Sequence, residues 1–154
     1  MLKIYNLKDK QEYIKEVVKL EHNEWAENKE EDYDNRINRK IKRIYDNFDN
    51  PFFCKLILLD DDKLVGFISL LETDGEERQD LKPWYGTIFV KVEYRGKGYS
   101  KILNDAILKV AKDRKYDRVY LKSYLENYYE KFGAKYIEML SNGEKLYYID
   151  IKWL

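Results

Sequence analysis

A loop with two glycines, placed between an apolar strand-like segment and an amphipathic helix, most constrains how this chain can fold. Apolar residues dominate the segment 85–92, and from Ile102 to Ala111 they recur at helical spacing. The loop between them contains Gly96 and Gly98. Backbone N–H groups at a helix N-terminus are unpaired and attract anions, and glycine permits close approach. The pattern predicts a diphosphate cradle, with a simple tight strand-to-helix turn as the alternative.

The residues of this loop determine which phosphate motif it can form. A Walker loop requires glycine at the position of Lys91 and Ser or Thr after Lys97, and the chain has neither. A dinucleotide fingerprint requires a third glycine, where the chain has Lys101. The side chains of Arg95, Lys97 and Lys101 can instead add positive charge to the cradle.

Hydrophobic periodicity along the rest of the chain predicts an α/β fold. Asp9 and Glu12 have the spacing of a capping box, which predicts a first helix from about residue 10 to 27. The predicted order is β-α-α-β-β-β-α-β-α-β-β, which indicates a mixed sheet with helices on both faces. The length of 154 residues fits a single domain over 1–154. Strands are expected at about 2–5, 52–59, 64–71, 85–92, 118–121, 136–140 and 146–151, and further helices at about 33–48, 102–111 and 125–132.

Charge and cysteine content argue against several classes of function. Lys plus Arg and Asp plus Glu number 29 each, so the net charge is zero and a nucleic-acid partner is not expected. One cysteine and one histidine cannot form an internal disulfide, a structural zinc site or a Cys/His catalytic pair, so no metal is expected. No apolar run approaches the ~20 residues of a membrane span, and the start lacks a signal-peptide pattern. A cytoplasmic location without membrane contact is therefore predicted.

Two motifs resemble those of the GNAT superfamily of N-acetyltransferases. The segment 90–100 resembles the family's acetyl-CoA motif, Arg/Gln-x-x-Gly-x-Gly/Ala after a strand that ends Val-x-Pro-Glu-Tyr. Arg95 and Gly98 match it, whereas Val92 replaces the frequent proline and Ser100 the final small residue. The segment 129–134, Tyr-Glu-Lys-Phe-Gly-Ala, resembles the second marker, Tyr-Glu-Lys-Leu-Gly-Phe. The element order matches the family along the whole chain.

The resemblance implies the GNAT fold and direct transfer of acetyl from acetyl-CoA to a primary amine, without an acyl-enzyme. It implies that backbone groups of Phe89 and Val90 pair with the pantetheine arm. The pyrophosphate would then lie at the loop, with Gly96 allowing close approach. The expected donors to it are the backbone N–H groups of Lys97, Gly98, Tyr99 and Ser100, with side-chain charge from Arg95, Lys97 and Lys101.

Tyr129, the first residue of the second marker, is the candidate general acid. A phenol can donate a proton to the departing thiolate, although Tyr129 is also one of fifteen tyrosines and could serve only in packing. Glu72, at the end of a predicted strand, is the first choice of general base, and Asp74 and Asp80 are weaker choices. The alternative for each of these carboxylates is a solvated loop charge, with a water chain serving as the base.

One position departs from the family pattern. Many members have an asparagine seven residues before the marker tyrosine, and here that position is Lys122. Asn127 lies nearby in sequence, but the role cannot be assigned to it from sequence. Outside the motifs, His22 is expected at the surface and Cys54 in the core.

The acceptor is expected to be an amine of a small molecule or peptide. Acidic residues gather in the segments 27–34 and 72–80, which favours a cationic acceptor unless both are simply solvated loops. The alternative function is a non-catalytic acyl-CoA-binding or sensing domain. Pairing of the last strand across a homodimer is a further expectation.

Overall fold

The residues described in a computed structural model, 1–152 and 154, form one seven-stranded mixed sheet with the strand order β1-β2-β3-β4-β5-β7-β6. Three α-helices flank it within the same residues. The α/β class is confirmed, and so is the predicted order of elements, except that a 3₁₀ turn stands in place of the last predicted helix. The strands are β1 (Leu2–Asn6), β2 (Cys54–Asp60), β3 (Lys63–Leu71), β4 (Trp84–Val90), β5 (Arg118–Ser123), β6 (Lys135–Met139) and β7 (Lys145–Asp150), and the helices are α1 (Ile14–Trp25), α2 (Tyr33–Asn47) and α3 (Tyr99–Asp113).

The two faces of the sheet carry separate apolar cores because side chains alternate along β2 and β3. Ile57 and Phe67 point to the face covered by α1 and α2, where they join Val17, Ile37 and other buried residues. Leu58 and Ile68, their neighbours in sequence, point to the opposite face, which is covered by α3. The prediction of helices on both faces is confirmed. Burial of each such side chain contributes about 1.5–3 kcal/mol.

The sheet changes character between β4 and β5. Strands β1 to β4 run antiparallel along their lengths, whereas β4 and β5 are parallel and pair only at Trp84 and Tyr120. At this point a backbone hydrogen bond runs from the N–H of Tyr120 to the carbonyl of Pro83 and measures 3.0 Å. Beyond this point the two strands separate, so β4 has backbone groups that no neighbouring strand pairs. The separation opens a cleft between the two strands.

Two predicted helices differ from those observed. The capping-box prediction is wrong: residues 7–13 form two short 3₁₀ turns separated by Lys10 with φ of −139°, and α1 begins only at Ile14. The helix expected at 125–132 is a single 3₁₀ turn, Tyr129–Phe132, which ends at Gly133 with φ of 90°. Glycine at that position suits the left-handed conformation that ends a helical turn.

The last strand cannot pair across a homodimer, because β7 lies between β5 and β6 and both of its edges are used. The edge of the sheet on this side is β6, and all five of its residues are exposed. That expectation about the last strand is therefore wrong.

Candidate active site

A cleft of about 1000 Å³ lies where β4 and β5 separate. Residues 85–88 form one wall, residues 121–125 another, and the end of α1 and one side of α2 complete it. Trp25 lines the cleft and meets Phe89 edge-to-face, with 6.3 Å between ring centroids. The cleft is therefore assembled from elements far apart in sequence around a gap in the sheet.

A β-bulge at the centre of β4 shapes one wall. Ser69 pairs with Gly86 and Phe67 with Phe89, so β4 has one more residue than β3 between these pairs. Thr87 has φ of 49°, a strained value for a β-branched residue, and its hydroxyl donates to the carbonyl of Gly86 at 2.8 Å. Such strain concentrates at functional sites. Sequence reasoning missed Thr87, since nothing in the sequence marks it.

The glycine loop leads directly into α3. Gly96 and Gly98 have φ of 77° and 80°, so the turn itself requires both glycines. Gly98 is the N-cap of α3, and within the described residues no side chain caps this helix. A Cβ at either glycine would meet no atom of the described residues within 4 Å. The loop therefore combines the tight turn with open space and unpaired N–H groups, as a phosphate cradle requires.

The three cations of the loop differ in how free their charge is. Arg95 donates from Nε to the carbonyl of Val90 at 2.8 Å, and its guanidinium lies 5.7 Å from the Phe89 ring centroid. The Lys97 ammonium lies 5.9 Å from a neighbouring tyrosine ring. Lys101 forms an ion pair with Asp105 at 2.6 Å, one helical turn along α3. Arg95 thus also holds the loop against β4, and the charge of Lys101 is largely neutralised.

Tyr129 lines the cleft on the side of the second motif. Its ring is half-buried and meets the ring of Tyr85 edge-to-face at 6.1 Å. Burial, with a smaller contribution from Tyr128, raises the pKa of Tyr129 to about 12. Its phenol therefore stays protonated at neutral pH and can act as a proton donor.

The three carboxylates proposed as general base lie in different environments. Glu72 lines the cleft but accepts hydrogen bonds from Lys82 at 2.9 Å and Asn50 at 3.0 Å, and these bonds hold its pKa below the usual range. Asp80 is not among the cleft residues, and its bond with Arg78 lowers its pKa. Asp74 lines the cleft, and burial raises its pKa. Asp74 is therefore the better proton acceptor, because a base works best with a pKa closer to neutrality.

The two residues linked to the departure from the family pattern occupy different places. Lys122 lines the cleft, and its ammonium lies 3.8 Å from the carboxylate of Glu144. Asn127 is exposed and is not among the residues that line the cleft. In the cleft, the position of the family asparagine is therefore filled by a cation.

His22 and Cys54 are the single histidine and the single cysteine of the sequence. The surface prediction for His22 is wrong: its side chain is only 1% exposed, packed between α1 and α2. Cys54 is buried as predicted, and burial raises its pKa to about 11.

Among the described residues, no three His, Cys, Asp or Glu side chains come together as metal ligands. None of the helices in that part of the chain is long and apolar enough to cross a bilayer.

Comparisons with known proteins agree on one family. The model of the Acetyltransferase (GNAT) family matches residues 14–134. An N-acetyltransferase from Staphylococcus aureus Mu50 superposes with a TM-score of 0.74 at 15% identity, over 99% of both chains. An aminoglycoside 6'-N-acetyltransferase complexed with coenzyme A gives 0.68 at 16% identity, over 98% of this chain and 97% of that chain. PaiA N-acetyltransferase from Thermoplasma acidophilum in complex with coenzyme A gives 0.64 at 20% identity, over 97% and 99%. No match was found among curated proteins.

Proposed function

The chain belongs to the GNAT acetyltransferase family, and we propose that it transfers an acetyl group from acetyl-CoA directly to the primary amine of a small molecule or peptide. One observation carries this proposal: residues 85–88 of β4 line the cleft that also holds a protonated phenol and a half-buried carboxylate, and the same strand leads along its unpaired edge into the glycine loop and the uncapped start of α3. Binding surface and acid–base groups are thus contiguous.

Backbone groups would hold the cosubstrate. The N–H groups of Lys97, Gly98, Tyr99 and Ser100 would bind the pyrophosphate, because they open the loop and α3 without a side-chain cap from the described residues. Gly96 leaves the approach open. Backbone groups of Phe89 and Val90 would pair with the pantetheine arm, with Val90 sharing its carbonyl oxygen with Arg95. A carbonyl oxygen has two lone pairs and can accept twice.

The reaction needs a base, since an amine is protonated at neutral pH and only the free amine attacks. Asp74, in preference to Glu72, would accept this proton, directly or through water. The amine nitrogen then attacks the thioester carbonyl carbon to form a tetrahedral intermediate. As the intermediate collapses, the C–S bond breaks and the thiolate takes the phenolic proton of Tyr129, while the nitrogen releases its extra proton, which returns through water to the Tyr129 phenolate. The products are an amide and free CoA.

A thiol-release assay with a panel of primary amines tests this function against the alternative, a non-catalytic acyl-CoA-binding domain. Acetyl-CoA is supplied to the purified protein with each amine and without any amine. We expect amine-dependent thiol release and a product heavier than the amine by one acetyl group in mass spectrometry. Binding of acetyl-CoA in calorimetry, with no release above the amine-free rate for any amine, would favour the sensing domain.

A further inference from the structure

Ion pairs cancel most of the charge that lines the cleft. Lys55 pairs with Glu21, Lys122 pairs with Glu144, and Glu72 pairs with Lys82. Three charged residues of the cleft have no ion-pair partner among residues 1–152 and 154: Lys40, Arg43 and Asp74. Within these residues the cleft therefore presents two cations on α2, and one carboxylate near the bulge of β4, that are not held in an ion pair.

Lys40 is held in place by a buried histidine. The Nε2 atom of His22 lies 2.7 Å from the backbone carbonyl of Lys29, and a carbonyl can only accept, so Nε2 carries the hydrogen. The Nδ1 atom then has a free lone pair, and it lies 2.7 Å from the ammonium of Lys40. His22 thus orients the ammonium without neutralising its charge.

The surroundings of Lys40 lack a sufficient counter-charge. Burial, together with Arg36 and Arg43, lowers the pKa of Lys40, and attraction by Glu21 does not compensate. Arg43 follows three residues later, so both cations project from one face of α2 into the cleft. An anion bound between them would accept charge-assisted hydrogen bonds from both, in place of the carboxylate partner that neither cation has among the described residues.

We infer that the acceptor is an amine that also carries an anionic group, a carboxylate or a phosphate, which binds Lys40 and Arg43. The amine end lies towards Asp74, at the other unpaired charge. This inference rests on the proposed function and defines its substrate class.

The cationic acceptor expected from the acidic segments finds less support in the structure. None of the residues 27–34 lines the cleft, and Arg36 instead binds three backbone carbonyls of this segment. From the second segment only Glu72, Thr73 and Asp74 line the cleft, and Glu72 is already paired with Lys82. The acidic loops are therefore mostly solvated surface.

Matched amines of equal chain length test the inference. A series of ω-amino acids and an aminoalkyl phosphate are compared with alkylamines, amino alcohols and diamines, for kcat/KM and for binding by calorimetry in the presence of CoA. We expect kcat/KM at least about tenfold higher for one anionic series than for its neutral counterpart. The carboxylate and phosphate arms show which anion fits.

Variants of α2 connect this preference to the two cations. Arg43→Gln and Lys40→Gln should each reduce the preference to within about threefold, mainly by raising the KM of the anionic amines. Lys42→Gln is the matched control, because Lys42 is exposed on the same helix, pairs with Asp46 and lies outside the cleft. It should keep the full preference.

The outcomes separate this inference from the proposed function. Equal or better turnover of neutral amines or diamines would overturn the anionic acceptor and leave acetyl transfer intact. Selective binding of an anionic amine that depends on Arg43, without thiol release, would support the anion site and contradict acetyl transfer. No selective binding of any anionic amine, with or without turnover, would overturn the inference.

Discussion

The proposed cofactor side and the proposed acceptor side of the site are built from different materials. The cofactor side consists mainly of backbone: two glycines with positive φ, the uncapped start of α3 and an unpaired edge of β4. The acceptor side consists of side chains from α1, α2, the segment after β3 and β5. Its character depends on which of their charges are cancelled by ion pairs.

This difference separates what is general in the molecule from what is particular to it. Every acyl-CoA presents the same pyrophosphate and pantetheine, so a backbone cradle serves any member of the fold. An acceptor is selected by a few unpaired charges, which can change without disturbing the sheet. We therefore expect mutations on the two sides to change different kinetic parameters.

Tyr129→Phe should have the largest effect, because the proton donation proposed for Tyr129 takes place where the two sides meet. The change removes only the hydroxyl, so ring packing against Tyr85 should survive. If the phenol protonates the thiolate, kcat should fall by roughly 10²-fold while the Kd of acetyl-CoA barely moves. Steady-state kinetics and calorimetry measure the two effects. Turnover at the wild-type rate would leave water as the proton donor.

Asp74→Asn should come next, with kcat/KM at neutral pH reduced by about 10-fold to 10²-fold. Because burial raises the pKa of Asp74, wild-type activity should fall as pH drops through that pKa, and the variant should lose this acidic limb. Glu72→Gln is the matched control, and a change below about threefold is expected for it. A larger loss in Glu72→Gln than in Asp74→Asn would restore Glu72 as the base.

The stability of Asp74→Asn tests whether the pKa of Asp74 is raised in the folded state. A carboxyl whose pKa is raised in the folded state destabilises the fold when it is ionised. The free energy of unfolding therefore falls as pH rises above the pKa that this carboxyl has in the unfolded chain. Asp74→Asn should therefore increase the free energy of unfolding at neutral pH. The increase should disappear at pH values below the carboxyl's unfolded pKa. Urea titrations at both pH values measure it.

Gly98→Val tests the backbone cradle alone. We expect the Kd of acetyl-CoA to rise at least ~10-fold, about 1.4 kcal/mol, since valine enters open space beside the helix start and strains a backbone with φ of 80°. Gly143→Val controls for strain, because Gly143 has φ of 90° in the turn before β7. Unchanged affinity in Gly98→Val, with the fold intact by circular dichroism, would place the cofactor elsewhere.

Lys101→Gln should have the smallest effect, less than about threefold on the Kd of acetyl-CoA. Its charge is already compensated by Asp105 at 2.6 Å, and exposed pairs of this kind contribute little. Asp105→Asn leaves Lys101 without its partner and should, if anything, tighten binding. A tenfold loss in Lys101→Gln would show that the cofactor displaces Asp105, and would make side-chain charge part of the cofactor side.

The strand, loop and helix of the proposed cofactor side could be predicted from sequence because they are contiguous. Strand, glycine loop and helix lie within residues 84–113, and their periodicities are undisturbed. Errors occurred where the chain is locally ambiguous, as at the 3₁₀ turns before Ile14.

The acceptor side depends on contacts between distant residues. Lys55 meets Glu21 across 34 positions, and Glu72 meets Asn50 across 22. No local pattern shows that His22 is buried or that Asp74 rather than Glu72 lacks an ion pair. The strained Thr87 is likewise a product of sheet register, because the bulge exists only relative to β3.

The single pairing between β4 and β5 also has a mechanical consequence. The sheet consists of two half-sheets. One contains β1 to β4 and the other contains β5, β7 and β6, and their strands pair at one point near Trp84. A ligand lying along the unpaired edge would bridge the half-sheets as a strand-like crosslink. Amide hydrogens that point from β4 into the gap should then exchange rapidly in the free protein and slowly in the complex. The half-sheets already share the buried core beneath α3, so cofactor binding should strengthen their cooperativity by adding backbone pairing across the gap.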